Sequence, residues 1–277
     1  MTRRRDTTGS GCQWPWIRCL ALVFAVRVGV LVCEGIGWLA DGDEGLDSVV
    51  FARDISPEDL AVRMGGTPGA AVQLTGPDVT SLLHRSETGD SDVVRVAACG
   101  AWSYAVLHLA DPGRDDLAVR ASRGGVEVIQ YVAMTDHPPA QFDYLRDGRT
   151  VCGFGIGEEA HRWGQDPDHL LPALVAGGVL TPDGTSHQAA ARPGSAMSGN
   201  RLTLTVLEHH FGLCLPQSSV MRAPLPAYTV RGTLSLGPDP DVDIIRTWAA
   251  EHGYSLNWGG SGHVPTSIRD AYAHATR

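Results

Sequence analysis

Lysine is absent from this chain: all 22 basic residues are arginine, set against 31 Asp and Glu, for a formal net charge of -9. A polypeptide with that balance repels polyanions at long range, which excludes broad, sequence-blind coating of nucleic acid. Any contact with DNA has to be local. Cysteine is sparse as well. Cys12, Cys19, Cys33, Cys99, Cys152 and Cys214 are widely spread, with no C-x-x-C and no Cys/His pair at zinc spacing, so reduced thiols and no metal site are expected. The sequence also lacks G-x-S-x-G, a P-loop, a G-x-G-x-x-G that opens a helix, and H-E-x-x-H. No enzymatic activity and no cofactor are therefore expected.

A long uninterrupted apolar run is missing too. Residues 17–33 are mostly apolar and follow Arg3, Arg4 and Arg5, an arrangement superficially like a signal peptide. Arg27 sits within the run, and a charge at the centre of a span costs roughly 2.5 to 3.5 kcal/mol on insertion scales. Val32 precedes Cys33 where lipoprotein processing needs a small residue. Residues 1–36 are read as an apolar N-terminal segment, either signal-like or upstream of the true start of translation. A cytoplasmic protein is expected, with export or membrane anchoring through residues 17–33 as the alternative.

What is present suffices for one sizeable domain: 43% of residues are hydrophobic. The expected fold is α+β, an antiparallel sheet flanked by helices over residues 37–230. A linker follows at 231–239, and then a small all-α helix–loop–helix module at 240–277. Ser56-Pro57-Glu58-Asp59 has the chemistry of a helix start, with Leu60 and Met64 on one face. Residues 93–98 and 102–109 read as strands joined at Cys99-Gly100-Ala101, and 126–133 as a third strand. Asp147-Gly148 marks a hairpin between 142–145 and 150–154, so that the strands form a meander. Asp166-Pro167-Asp168 is expected to open a helix, capped by one acid and with the other in its first turn, that runs to Gly177-Gly178. Pro172 kinks that helix or delays its start. Residues 181–199, poor in large apolar side chains, read as a loop, after which Asn200 caps a helix ended by Gly212.

Two clusters carry residue types suited to proton transfer: Asp136-His137 and Glu158-Glu159-Ala160-His161. Both fall in expected loops. The simpler reading is turn chemistry for the first and a solvated surface beside Arg162 for the second. His209-His210 lies on a helix where only one ring can face the core. Gly153, Gly155 and Gly157 alternate, but not at nucleotide-fingerprint spacing. The order of the S-P-E-D helix start, the W-S-Y-A-V strand, the D-G hairpin, R-W-G-Q-D-P-D and the closing E-H-H-F-G helix resembles an uncharacterised streptomycete domain family. That resemblance implies no activity.

The tail is more informative. Gly237-Pro238-Asp239-Pro240 breaks the preceding structure, and Asp241 or Asp243 can cap a helix bearing Ile244, Ile245, Trp248 and Ala249 as its apolar stripe. Gly253 stops it. Pro265 starts a second helix on which Ile268, Ala271 and Tyr272 share a side. The pattern I-R-T-W-A-A-E-H-G-Y-S-L, a Gly-rich loop and V-P-T-S-I-R-D-A-Y resembles the DNA-binding end of the Lsr-type (H-NS-like) nucleoid silencers of actinobacteria. The Gly, Ala, Val, Asp and Arg bias fits a GC-rich source. The resemblance implies a partner, AT-rich DNA, entered through the minor groove by an Arg-Gly-Arg loop. Here that loop reads Ser261-Gly262-His263. DNA contacts are accordingly assigned to Ser261, Gly262, His263 and Arg269, with homo-oligomerisation multiplying weak contacts. Residues 240–277 hold three arginines against four acids. This balance supports the alternative of a protein-docking module anchored by Trp258.

Overall fold

A computed structural model describes residues 34–41, 46–85, 90–109, 116–133, 138–188, 199–232, 234, 236, 240–254 and 266–275. Its centre is one antiparallel sheet of nine strands. In chain order these are β1 (Ser48–Arg53), β2 (Val72–Leu74), β3 (Asp92–Cys99), β4 (Trp102–His108), β5 (Val128–Val132), β6 (Gln141–Arg146), β7 (Arg149–Gly155), β8 (Arg162–Trp163) and β9 (Leu225–Arg231). Across the sheet the order is β2-β9-β3-β4-β1-β5-β6-β7-β8. The β3–β4 and β6–β7 hairpins form where turn residues separate alternating segments, and Asp147 and Gly148 both take positive φ, as a two-residue hairpin turn requires. The strands are not a simple meander. β1 inserts between β4 and β5, pairing Phe51 with Tyr104 on one side and with Ile129 on the other.

Both faces of the sheet are covered. Val49, Phe51, Trp102, Tyr104, Ile129, Phe142 and Phe154 face one layer, made by the 3₁₀ turn Gly37–Asp41 and the helices α4 (Leu171–Ala176), α5 (Gly199–Phe211) and α6 (Gln217–Arg222). Val50, Ala52, Val94, Val96, Ala105 and Leu107 face the other, made by α1 (Pro57–Met64) and α3 (Asp116–Ala121). The ten-residue helix α2 (Gly76–Arg85) packs Val79 against Val93 and Ala227 near the β9 side. Local chemistry accounts for the helix starts. Ser56 Oγ accepts from the Asp59 amide at α1. Thr75 and Asp78 exchange amide-to-side-chain hydrogen bonds at α2, a reciprocal cap. The Thr75 hydroxyl also donates to Asp78 Oδ2, and this bond, with that from the Thr75 amide, holds the Asp78 carboxyl below its ordinary pKa.

The structure departs from several sequence expectations. α4 begins at Leu171, with Pro172 in its first turn and Leu170 at the N-cap position. Asp168 instead pairs with Arg162, and Asp166 lies beside His169 at 3.4 Å. Asn200 lies within α5 rather than before it. Both His209 and His210 are exposed. Burial lowers the His210 pKa, and the nearby His169 lowers it further. Cys99 and Cys214 are not free thiols: they form a disulfide with Cα atoms 5.8 Å apart, joining the end of β3 to the segment after α5. Cys152 is a buried free thiol, its pKa pushed up to about 11 by burial.

After β9 come α7 (Pro240–Glu251) and α8 (Thr266–Ala275). They close on Ile245, Ala249 and Ile268, with Trp248 and Tyr272 packed alongside. Ile244, expected in the apolar stripe, is 54% exposed. Gly253 takes φ 76° and ends α7. Among the described residues, no helix is long and apolar enough to cross a membrane.

Candidate functional site

The connection from β7 to β8 concentrates the chemistry. The alternating glycines that precede it now have steric reasons. A side chain at Gly153 would collide with Asp143 Oδ1 and Trp163 Nε1, which hydrogen bond to each other at 2.9 Å, and one at Gly155 would meet Pro139. Gly157 takes φ 95°, a conformation glycine adopts freely. The turn at Gly157 brings its own amide N–H onto a carboxylate two residues on. Glu159 is buried completely. This overturns the reading of the Glu158–His161 cluster as a uniformly solvated surface.

Three groups satisfy the Glu159 carboxylate. The Gly157 amide donates to Oε1 at 2.7 Å, and the Thr203 hydroxyl, from α5, donates to the same oxygen at 2.6 Å. His187 Nε2 lies 2.6 Å from Oε2. A carboxylate has only acceptors to offer, so the ring contributes Nε2–H. Nδ1 is the ring's other polar atom, with no protein partner among the described residues. The main chain here is held as firmly. Arg162 donates through Nη1 to the carbonyls of Glu159 and Gly184, and through Nε and Nη2 to Asp168. A burial cost of this kind is tolerated only when the charged group is fully hydrogen bonded.

His187 reaches Glu159 because residues 181–188, part of an expected loop, form a defined turn. Leu180 and His187 bridge across it, and Thr181 Oγ1 donates to Asp183 and to the Ser186 carbonyl. Two clefts open beside this arrangement. One, about 510 Å³, has Leu39, Tyr131, Pro138, Pro139, Ile156 and Leu204 in its wall, with Asn200 beside them. The other, about 380 Å³, is lined by His161, Thr185, Ser186 and His187. Gly157 and Glu158 line both. Among the described residues, no group of three His, Cys, Asp or Glu side chains is arranged to hold a metal ion.

A second buried polar group lies under α6. Arg95, on β3, donates through Nε to His108 Nε2 at 3.0 Å and through Nη2 to the Val220 carbonyl at 2.8 Å, while Nη1 has no partner among the described residues. Burial, reinforced by the Arg95 charge, lowers the His108 pKa to about 3. The ring is therefore neutral and accepts from arginine. Its enclosed position and fixed tautomer make it part of the core.

Ser261, Gly262, His263 and the docking candidate Trp258 lie outside the described residues. Arg269 lies on α8, with its side chain outside them. Asp136 and His137 also lie outside, although the adjoining Pro138 and Pro139 line the larger cleft. The pairing of Glu159 with His187 and Thr203 had no signal in the sequence beyond the acid/His cluster itself, because its partners are 28 and 44 positions away.

Residues 44–208 match the Family of unknown function (DUF6461), and the chain belongs to that family. Neither a curated protein nor a solved structure matches it. The matched segment holds most of the sheet, both halves of the Glu159–His187 pair and Thr203, and it ends before the tail.

Proposed function

We propose that this member of a family without assigned activity is a non-enzymatic, DNA-directed regulatory protein. It acts through its C-terminal helix pair, with the sheet domain as its sensing or assembly part. The observation that carries this reading is the closure of α7 and α8 on Ile245, Trp248, Ala249, Ile268 and Tyr272. The silencer resemblance implies such a pair to present the Ser261-Gly262-His263 loop. Gly262 lets backbone approach a groove floor, while the Ser261 hydroxyl, His263, and Arg269 at the start of α8 supply the polar contacts. Because the module lacks the two groove arginines, its affinity depends on several copies engaging together.

A docking role is the second reading. It is favoured by the exposed Ile244 and Tyr254 on the same module, and by its one-charge excess of acid over base. The two readings also differ in compartment. DNA binding assigns the chain to the cytoplasm and nucleoid, where the Cys99–Cys214 pair would be kept reduced. Export or anchoring through residues 17–33 assigns it to an oxidising environment, where a disulfide persists.

Fluorescence anisotropy of the full chain against AT-rich and GC-rich duplexes, at low and moderate salt, separates the readings. The DNA reading predicts AT preference, weakening with salt, and tighter binding as the pH falls from about 8 to about 6 if His263 carries the contact. A Ser261→Arg/His263→Arg variant should bind more tightly with the same preference. Binding by that variant alone would transfer the assignment to docking.

A further inference from the structure

Strand β3 carries a buried charge and, at its end, one half of the disulfide. Arg95 is 2% exposed, yet its Nη1 has no partner among the described residues, and its Nε and Nη2 bonds go to a neutral imidazole and a carbonyl. Asp78, at the start of α2, acts on this charge from further away, its own carboxyl bonded to Thr75. A buried guanidinium with an unmade bond and no carboxylate against it costs free energy for as long as its cover stays closed. That cover is α6, whose Val220 carbonyl takes the Nη2 bond. The helix has six residues, of which Val220 alone is buried, while Gln217, Ser218 and Arg222 are exposed. The apolar area that holds it down is correspondingly small.

Cys99 ends the strand of Arg95, and Cys214 lies on the approach to α6. The disulfide therefore joins the strand that holds the charge to the segment that covers it. The Trp102 indole on the Phe211 carbonyl is a second link from the sheet to this segment, and further bonds run from the Leu215 and Gln217 amides to Glu34. The bridge is approachable from one side. Cys214 is 2% exposed, but Cys99 is half-buried beside the exposed Gly100 and Ala101.

We propose that Cys99–Cys214 is a redox latch that keeps α6 closed over Arg95, and that its reduction by a dithiol releases α6 while the sheet stays folded. The attacking thiolate bonds to Cys99 Sγ, the S–S bond breaks, and Cys214 leaves as a thiolate that takes up a proton. The second thiol of the reagent then attacks the reagent's own sulfur in the mixed disulfide and frees Cys99. Two electrons and two protons have passed to the pair, and the reagent has become a cyclic disulfide. The reverse exchange closes the latch. With the bridge gone, the open segment regains the conformational freedom that the bridge denied it, and water completes the bonds of Arg95. The device lies in the sheet domain and does not depend on the DNA reading.

The test is hydrogen–deuterium exchange of the full chain, oxidised and in excess dithiothreitol, read at residues 217–222 and, as the control, at β3 and β4. Reduction should speed exchange at 217–222 by about tenfold or more, as local opening does, and leave β3 and β4 protected. Cys99→Ser with Cys214→Ser should exchange like the reduced parent with or without the reagent, which excludes effects through other cysteines. Arg95→Met, which removes the buried charge, should keep 217–222 protected in both states, whereas Arg95→Lys, which retains it, should keep the redox difference. Unchanged exchange at 217–222 on reduction, equal loss of protection over β3 and β4, or a redox difference that survives in Arg95→Met would overturn the proposal.

Discussion

In the sheet domain, Phe51, Trp102, Tyr104, Phe142 and Phe154 are sealed between a nine-stranded sheet and one helical layer, while Leu60, Met64, Leu107 and Leu117 are sealed against the other. In the tail, the described core is Ile245, Ala249 and Ile268, with Trp248 and Tyr272 at its edge. Burial of apolar area scales with such numbers, so the domain owns a cooperative core while the helix pair owns only a small one. The domain can therefore seal a hydrogen-bonded carboxyl group inside its structure at Glu159. The tail keeps Ile244 and Tyr254 facing outward.

Substitutions sharpen this contrast, beginning with the largest effect. Trp102→Ala removes a buried indole whose N–H donates to the Phe211 carbonyl and whose ring meets Phe211 edge-on. Urea unfolding should show a loss of roughly 3 to 5 kcal/mol. Cys99→Ser with Cys214→Ser removes a link that spans 115 positions and staples the end of β3 to the segment after α5. The oxidised protein should lose about 2 to 4 kcal/mol on substitution, and the reduced protein almost nothing.

Acid should act on the domain through His108. Its folded pKa, about 3, lies below the ordinary value of 6.5, so protons bind the unfolded chain in preference. The contribution of this group is complete above about pH 6.5 and is lost as pH falls toward 3, amounting to about 2 kcal/mol by pH 5. His108→Gln should flatten that part of the pH profile, read from urea midpoints. The smallest global effect belongs to Ile245→Ala. It should leave the domain's unfolding midpoint in place while abolishing hydrogen-exchange protection in α7 and α8. A shift of the whole transition would show that the two regions share one cooperative unit.

The same contrast explains what could be read from the sequence. The β3–β4 and β6–β7 hairpins were legible because their turn residues and flanking strands are local signals. So was α1, through Ser56 and Pro57. β1 escaped because Val49 to Ala52 is buried on both faces, which erases alternation and leaves a short apolar run. β2 and α2 were hidden by Gly, Thr and Asp, although Thr75 and Asp78 carried a readable cap. The candidate site was only half visible. Glu158 to His161 stood out as residue types, but whether Glu159 is solvated or sealed depends on His187 and Thr203, and nothing local connects them. The disulfide is the same case at greater distance. In the tail the apolar stripe gave the helix pair correctly, with Ile244 as the exception, since it lies just outside the arc that the partner helix covers.

Under the proposed function, recognition of DNA belongs to the tail and not to the sheet domain. Hydrogen–deuterium exchange of the full chain, with and without an AT-rich duplex at low salt, tests it most directly. The claim predicts new protection confined to residues 240–277, strongest from 255 to 269 and absent with a GC-rich duplex. Protection that falls instead on the sheet domain, or none under conditions where the Ser261→Arg/His263→Arg variant is protected, would contradict it.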